Sequence, residues 1–154
     1  MTTFSTQELQ AYENGTMELK QLLGFGDDYL QALKGRAQFF VDGGHRERAL
    51  IMLEMLCALD RTDFTPALLA AELYLEEGAS DSAEAHIEAV LARMPDCAEA
   101  LVAQAELQLR SGELTSAAAL LRRVLATDSH GQTSAGKRAL AVAAQAHARL
   151  QQHG

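Results

Sequence analysis

Glycine recurs at positions 44, 78 and 112, alanine at 49, 83 and 117, and alanine again at 37, 71 and 105, so three columns repeat in one register at a spacing of 34. A chain that repeats itself at this period is expected to stack like units that share a continuous core, each too small to bury its apolar face alone. Other columns keep their chemistry: Phe40, Tyr74 and Gln108; Leu53, Ile87 and Leu121; Leu56, Val90 and Val124. Alanine at the eighth and twentieth columns lets two antiparallel helices approach closely, and the glycine between them supplies a tight turn. The register predicts first helices near 30–43, 64–77 and 98–111 and second helices near 46–59, 80–93 and 114–127. Pro66 and Pro95 then fall at the starts of the second and third units, where proline is tolerated, with Asp63 or Thr65 as a cap for the former. Asp81, followed three residues later by Glu84, reads as a capping box.

The composition fits an all-α helical-hairpin array. Aromatic residues make up 5% of the chain, tryptophan is absent and only two prolines occur, which favours helices over a strand-rich sandwich. Three 34-residue repeats are assigned to 30–63, 64–97 and 98–131, preceded by an N-terminal helical extension at 1–29 and followed by a capping helix at 132–154. "STQELQAYENGTMELKQLLGF" is apolar at Leu9, Tyr12, Met17, Leu19, Leu22 and Leu23, with an interruption at "ENGT", and Asp27 or Asp28 lies near the next helix start. The final segment begins like another first helix, with Ala135 and Ala139 in the fourth and eighth columns, Gly136 weakening its start and "HARLQQHG" forming a polar end.

Charge and motif content exclude several chemistries. A net charge of -8 repels a nucleic-acid backbone, and the basic clusters "HRER" and "LRR" are short. No apolar run approaches the length needed to cross a bilayer, and "MTTFSTQELQAYENG" lacks the pattern of an export signal, so a cytoplasmic protein without membrane insertion is expected. Asn14-Gly15-Thr16 then reads as a local break, not a glycosylation site. Cys57 and Cys97 have no metal or redox spacing and read as buried thiols. Among the five histidines only the loose His147 and His153 pair shares a helix end. "GFG" at 24–26 lacks the rest of a phosphate-binding loop and faces two aspartates. Neither an enzyme nor a cofactor is expected.

The repeats "ALKGRAQFFVDGGHRERALIMLEMLCALDR", "ALLAAELYLEEGASDSAEAHIEAVLARMP" and "ALVAQAELQLRSGELTSAAALLRRVLATDS" resemble the tetratricopeptide repeat over residues 30–131. They depart from it where its tryptophan is replaced by Leu33, Ala67 and Leu101, and at Gln108 and Arg61. A narrower likeness rests on "GGHRERALIMLEMLCALDRTD", which is similar to the first repeat of the small chaperones of bacterial type III secretion. That resemblance implies a protein that holds a hydrophobic translocator, or in a second branch an apparatus component, before export. Leu9, Tyr12, Met17, Leu19, Leu22 and Leu23 are more apolar residues than an isolated surface helix needs, so the N-terminal helix is expected to cover either the first repeat or a symmetry mate, and the resemblance favours a homodimer. The alternative is an adaptor that binds a folded partner.

In such an array the concave wall comes from the first helix of each pair. Its expected residues are Gln31, Lys34, Gln38 and Val41; Thr65, Leu68, Glu72 and Leu75; and Glu99, Val102, Glu106 and Leu109. Val41, Leu68, Leu75, Val102 and Leu109 would offer an apolar strip to an extended protein segment, and the three glutamates would accept its donors. A grip on a partner's C-terminal carboxylate is disfavoured, because Lys34 is the one cation among these positions.

Overall fold

The structure, a computed structural model, describes residues 3–152, so His153 of the expected histidine pair lies outside the described residues. Among the described residues all regular structure is helical: α1 (Thr6–Glu13), α2 (Leu19–Leu22), α3 (Asp27–Asp42), α4 (Arg46–Leu59), α5 (Thr65–Glu77), α6 (Ser80–Arg93), α7 (Ala98–Arg110), α8 (Leu114–Thr127) and α9 (Ser134–Gln152). The second helices α4, α6 and α8 fall where the register put them. Helix α3 starts early, at Asp27 rather than Leu30, with Gly26 as its N-cap and Asp27 and Asp28 in its first turn. Two carboxylates at the positive end of the helix dipole favour that extra turn.

The repeated columns have a common physical basis. Gly44, Gly78 and Gly112 take φ of +70°, +77° and +86°, the left-handed region in which a side chain is strained. After each of them the next amide donates back to the eleventh-column carbonyl: His45 to Phe40 at 2.9 Å, Ala79 to Tyr74 at 2.9 Å and Glu113 to Gln108 at 2.7 Å. The alanine pairs are buried, Ala37 at 1% exposure with Ala49 at 0%, and Ala105 with Ala117 both at 0%. One expectation fails at the start of α6. Its N-cap is Ala79 with no side-chain cap, and Asp81 lies inside the first turn, so the Asp81 and Glu84 box does not form. The backbone turn already satisfies the alanine's amide, and Asp81 acts on the helix dipole instead.

The chain forms two compact units, Met1–Ala70 and Ala71–Gly154, the boundary falling within α5. In the first unit α3 packs on α4 around Leu30, Ala37, Leu53, Leu56 and Leu59. The N-terminal segment is two helices, not one, because Gly15 (φ +73°) breaks it as "ENGT" predicts. Helix α2 is latched onto the turn after α4: buried Glu18 accepts from the amide and Nε of Arg61 at 3.0 and 3.1 Å, and Lys20 donates to Asp60 at 2.6 Å. The Arg61 guanidinium also lies 5.7 Å from the Tyr12 ring centre.

In the second unit α7 and α8 form a hairpin that α9 covers. Leu101, Val102, Leu109, Leu121, Val124, Ala139 and Val142 share one core there. Helix α6 packs on α7, and Tyr74 stacks on His86 with ring centres 5.7 Å apart. Asp128 organises the turn into α9, accepting from the amides of Gln132 and Thr133 at 2.8 Å each and from the Thr133 hydroxyl at 2.6 Å. The Thr133 hydroxyl in turn accepts from the Gly136 amide at 3.0 Å, capping the helix. Gly136 serves this start instead of weakening it: a Cβ there would lie 2.0 Å from Asp128 Oδ2.

Candidate protein-binding site

In the first unit a cavity of about 260 Å³ lies between α3, α4 and the start of α5. Ala37, Leu53, Leu56, Pro66 and Leu69 make its walls apolar, while Lys34, Gly35, Gln38 and Thr65 border it. The elements dictate this shape. Helix α3 has glycine at position 35, exposed and with nothing within 4 Å of where its Cβ would be, so the helix leaves a gap above Ala37. Proline in the first turn of α5 is buried and turns its ring into the wall. The rim is fixed by polar contacts. Lys34 pairs with Asp63, which also accepts from the Thr65 amide at 3.0 Å, and Gln38 donates to Asp42 at 2.7 Å. Partial burial pushes the Asp63 carboxyl upward, but the bonds from Lys34 and Thr65 outweigh it and hold the group below its ordinary range.

Of the expected wall residues in this unit, Lys34, Gln38 and Thr65 line the cavity. Gln31 is exposed and Val41 and Leu68 are half-buried outside its lining.

The second unit departs from the expected open apolar strip. Leu75, Val102 and Leu109 are 2%, 0% and 6% exposed. Val102 and Leu109 are taken up by the core they share with α8 and α9, because α9 lies against α7 where a free wall was expected. Nor are two of the glutamates free to receive a partner's donors. Arg138 of α9 donates by Nη1 to Glu72 at 2.5 Å and by Nε to Glu106 at 2.6 Å, while Glu99 is exposed and accepts from Cys97 Sγ at 3.6 Å. Two further arginines stand nearby, Arg110 donating to the Leu75 carbonyl and Arg149 to the Leu109 carbonyl at 3.1 Å. They fasten to the last turns of α5 and α7, on carbonyls that also accept from the amides of Gly78 at 3.1 Å and Gly112 at 3.3 Å.

Beside these arginines lies a cavity of about 310 Å³ between α7 and α9, and a second of about 360 Å³ that shares Glu106, Arg110 and Arg138 with it. Arg110, Arg138 and Arg149 are the site residues that the sequence reading missed. The signal for Arg138 was present: once α9 is recognised as a fourth first helix, its seventh column falls beside the ninth column of α7, which holds Glu106.

The N-terminal residues split. Leu9 and Leu23 are each 42% exposed, whereas Tyr12, Met17, Leu19 and Leu22 are half-buried. The latch through Glu18 and Lys20 fixes that part of the extension on its own chain. Cys57 is half-buried, its thiol pushed up to about 11 chiefly by desolvation, with Glu54 and Asp63 adding to the shift, so it is not a reactive nucleophile at neutral pH. Among the described residues no three His, Cys, Asp or Glu side chains converge to hold a metal ion, and no helix is long and apolar enough to cross a membrane.

Residues 74–143 match the tetratricopeptide repeat. The fold is a tetratricopeptide-like helical array. It is similar to the type III secretion translocator chaperone SycD of Yersinia enterocolitica, at a TM-score of 0.73 and 20% identity over 86% of this chain and 98% of that one. It is also similar to a chain in a type III secretion complex from Aeromonas hydrophila, at a TM-score of 0.78 and 16% identity over 96% of this chain and 97% of that one. No curated protein matches the sequence.

Proposed function

We propose that this chain is a non-enzymatic cytoplasmic chaperone that holds an extended, largely apolar segment of a type III secretion substrate before export. The observation that carries the reading is the apolar cavity in the first unit, bordered by Lys34, Gln38 and Thr65 and floored by Leu53 and Leu56. A cavity of this size takes one aliphatic side chain of an extended segment, and the polar groups on its rim offer partners to that segment's main chain. The likeness in fold to SycD, described as a translocator chaperone, supports the choice of cargo class. Burying one leucine- or valine-sized anchor contributes about 1.5–3 kcal/mol, so several anchors are needed for stable holding.

In the same reading the exposed Leu9 and Leu23 serve self-association. Light scattering at tens of micromolar tests this part: a dimer that Leu9→Ser, Leu23→Ser converts to monomer is expected, and a monomeric full chain overturns it.

The holding activity is tested by co-expression with a membrane-active translocator of the same secretion system. The translocator should remain in the soluble fraction, bound and without a cooperative melting transition of its own. A partner that is soluble alone and binds as a folded body would identify an adaptor instead.

A further inference from the structure

The cavity between α7 and α9 is net basic on an acidic chain. Three arginines, Arg110, Arg138 and Arg149, line it together with Glu106, on a chain whose net charge is -8. Arg138 is committed to Glu72 and Glu106. Arg110 and Arg149 each donate to a main-chain carbonyl, which satisfies one N–H and cancels no charge. A guanidinium carries five N–H donors in a planar fork, so both retain donors suited to a carboxylate. The floor beneath them is apolar, formed by Leu109 at 6% exposure and Val142 at 3%.

We propose that this cavity is a subsite for the side chain of an internal aspartate or glutamate in an extended peptide partner. The inference rests on the holding function proposed above and adds a required residue class to it. An acidic side chain matches both features of the cavity, its methylene groups against Leu109 and Val142 and its carboxylate toward Arg110 and Arg149. Charge-assisted bonds to arginine are about twice as strong as neutral ones and favour bidentate geometry. An internal residue fits better than a chain end. The space continues past Arg110 and Arg138 into the second cavity, whose lining holds three glutamates, Glu72, Glu76 and Glu106, against those two arginines and so disfavours further negative charge. A neutral stretch of continuing chain fills that part, whereas a terminal residue leaves it empty.

The test uses the full chain and capped nine-residue peptides of leucine, valine and serine carrying one central glutamate or, in the twin, glutamine. Fluorescence anisotropy at low and physiological salt should show the glutamate peptide binding about tenfold tighter, with the advantage shrinking as salt rises. Arg149→Met should remove the preference and Arg149→Lys restore part of it, with circular dichroism confirming the helical content of both. Equal binding of the twins overturns the subsite while leaving the apolar groove intact. Binding of neither twin overturns the groove reading as well. A preference that survives Arg149→Met overturns the assignment to this cavity. A glutamine peptide with a free C-terminal carboxylate that binds as tightly as the internal-glutamate peptide overturns the choice of an internal residue.

Discussion

Replacing Gly35 by leucine should raise the stability of the chain and at the same time weaken its hold on cargo, a pairing that few substitutions produce. Gly35 lies in the middle of α3, exposed, with no heavy atom within 4 Å of an added Cβ. Glycine in a helix interior costs about 0.8–1 kcal/mol relative to good helix formers, and here no steric penalty offsets the gain. For a chain of this size that corresponds to a rise of roughly 2–4 °C in Tm. Yet Gly35 also borders the apolar cavity over Leu53 and Leu56, so a leucine there occupies the place of the cargo's anchor. Excluding one aliphatic anchor forfeits about 1.5–3 kcal/mol, or roughly 10–100-fold in Kd. Gly35→Ala adds a single methyl and should keep the stability gain with a smaller loss of binding. The assays are thermal melting by circular dichroism and calorimetric titration with a purified translocator fragment. A Gly35→Leu protein that melts higher and binds with unchanged affinity would refute the assignment of this cavity as an anchor site.

Three further predictions follow from packing and charge. Gly136→Ala should destabilise the second unit despite alanine's better helix propensity, by about 1–3 kcal/mol from overpacking against about 1 kcal/mol gained; in an Asp128→Ala background the same change should become neutral or stabilising, and denaturant melts of the four proteins read the coupling. Ala83→Phe should cost about 1–3 kcal/mol, because Ala83 is 0% exposed where helix packing leaves no room for a ring, and an unchanged melt would contradict the register. For Asp60, partial burial raises the carboxyl, but bonds from Lys20 and Thr62 outweigh it and hold the group down to about 2. Its folded value is depressed, so its contribution is present above about 3.8 and is lost as pH falls through about 2. Solvent screening limits it to roughly 1 kcal/mol or less, and Asp60→Asn should flatten acid unfolding over that window.

The fold was legible because its physics is local and repeated. A left-handed glycine, two buried alanines and a fixed spacing fix each hairpin without reference to anything distant, which is why α4, α6 and α8 fall at the expected positions. The candidate site was legible in part. Lys34, Gln38 and Thr65 follow from helix phase alone, but the cavity they border depends on the side chain that Gly35 lacks and on Pro66, which the sequence marks as a helix start and not as a wall. Leu75, Val102 and Leu109 were misjudged as an open strip. Their phase is right for a wall, and for Val102 and Leu109 it is α9 that makes the wall a core. Arg110 and Arg149 were missed because the groups they hold are main-chain carbonyls 35 and 40 residues away, which leave no trace in sequence, and Arg138 because the column of α9 was not set against that of Glu106. The Asp81 and Glu84 motif shows the reverse error: a valid capping pattern shifted into the helix by a turn that needs no cap.

Hydrogen exchange of the full chain, free and bound to an apolar translocator segment, tests the holding function most directly. Amide exchange in the last turns of α3 and the first turns of α5, around Gln38 and Leu69, should slow on binding, together with slower exchange near Arg149 when the segment carries an acidic residue. Slowing confined to α1 and α2, or to the second helices α4, α6 and α8, with α3 and α5 unchanged, would contradict it.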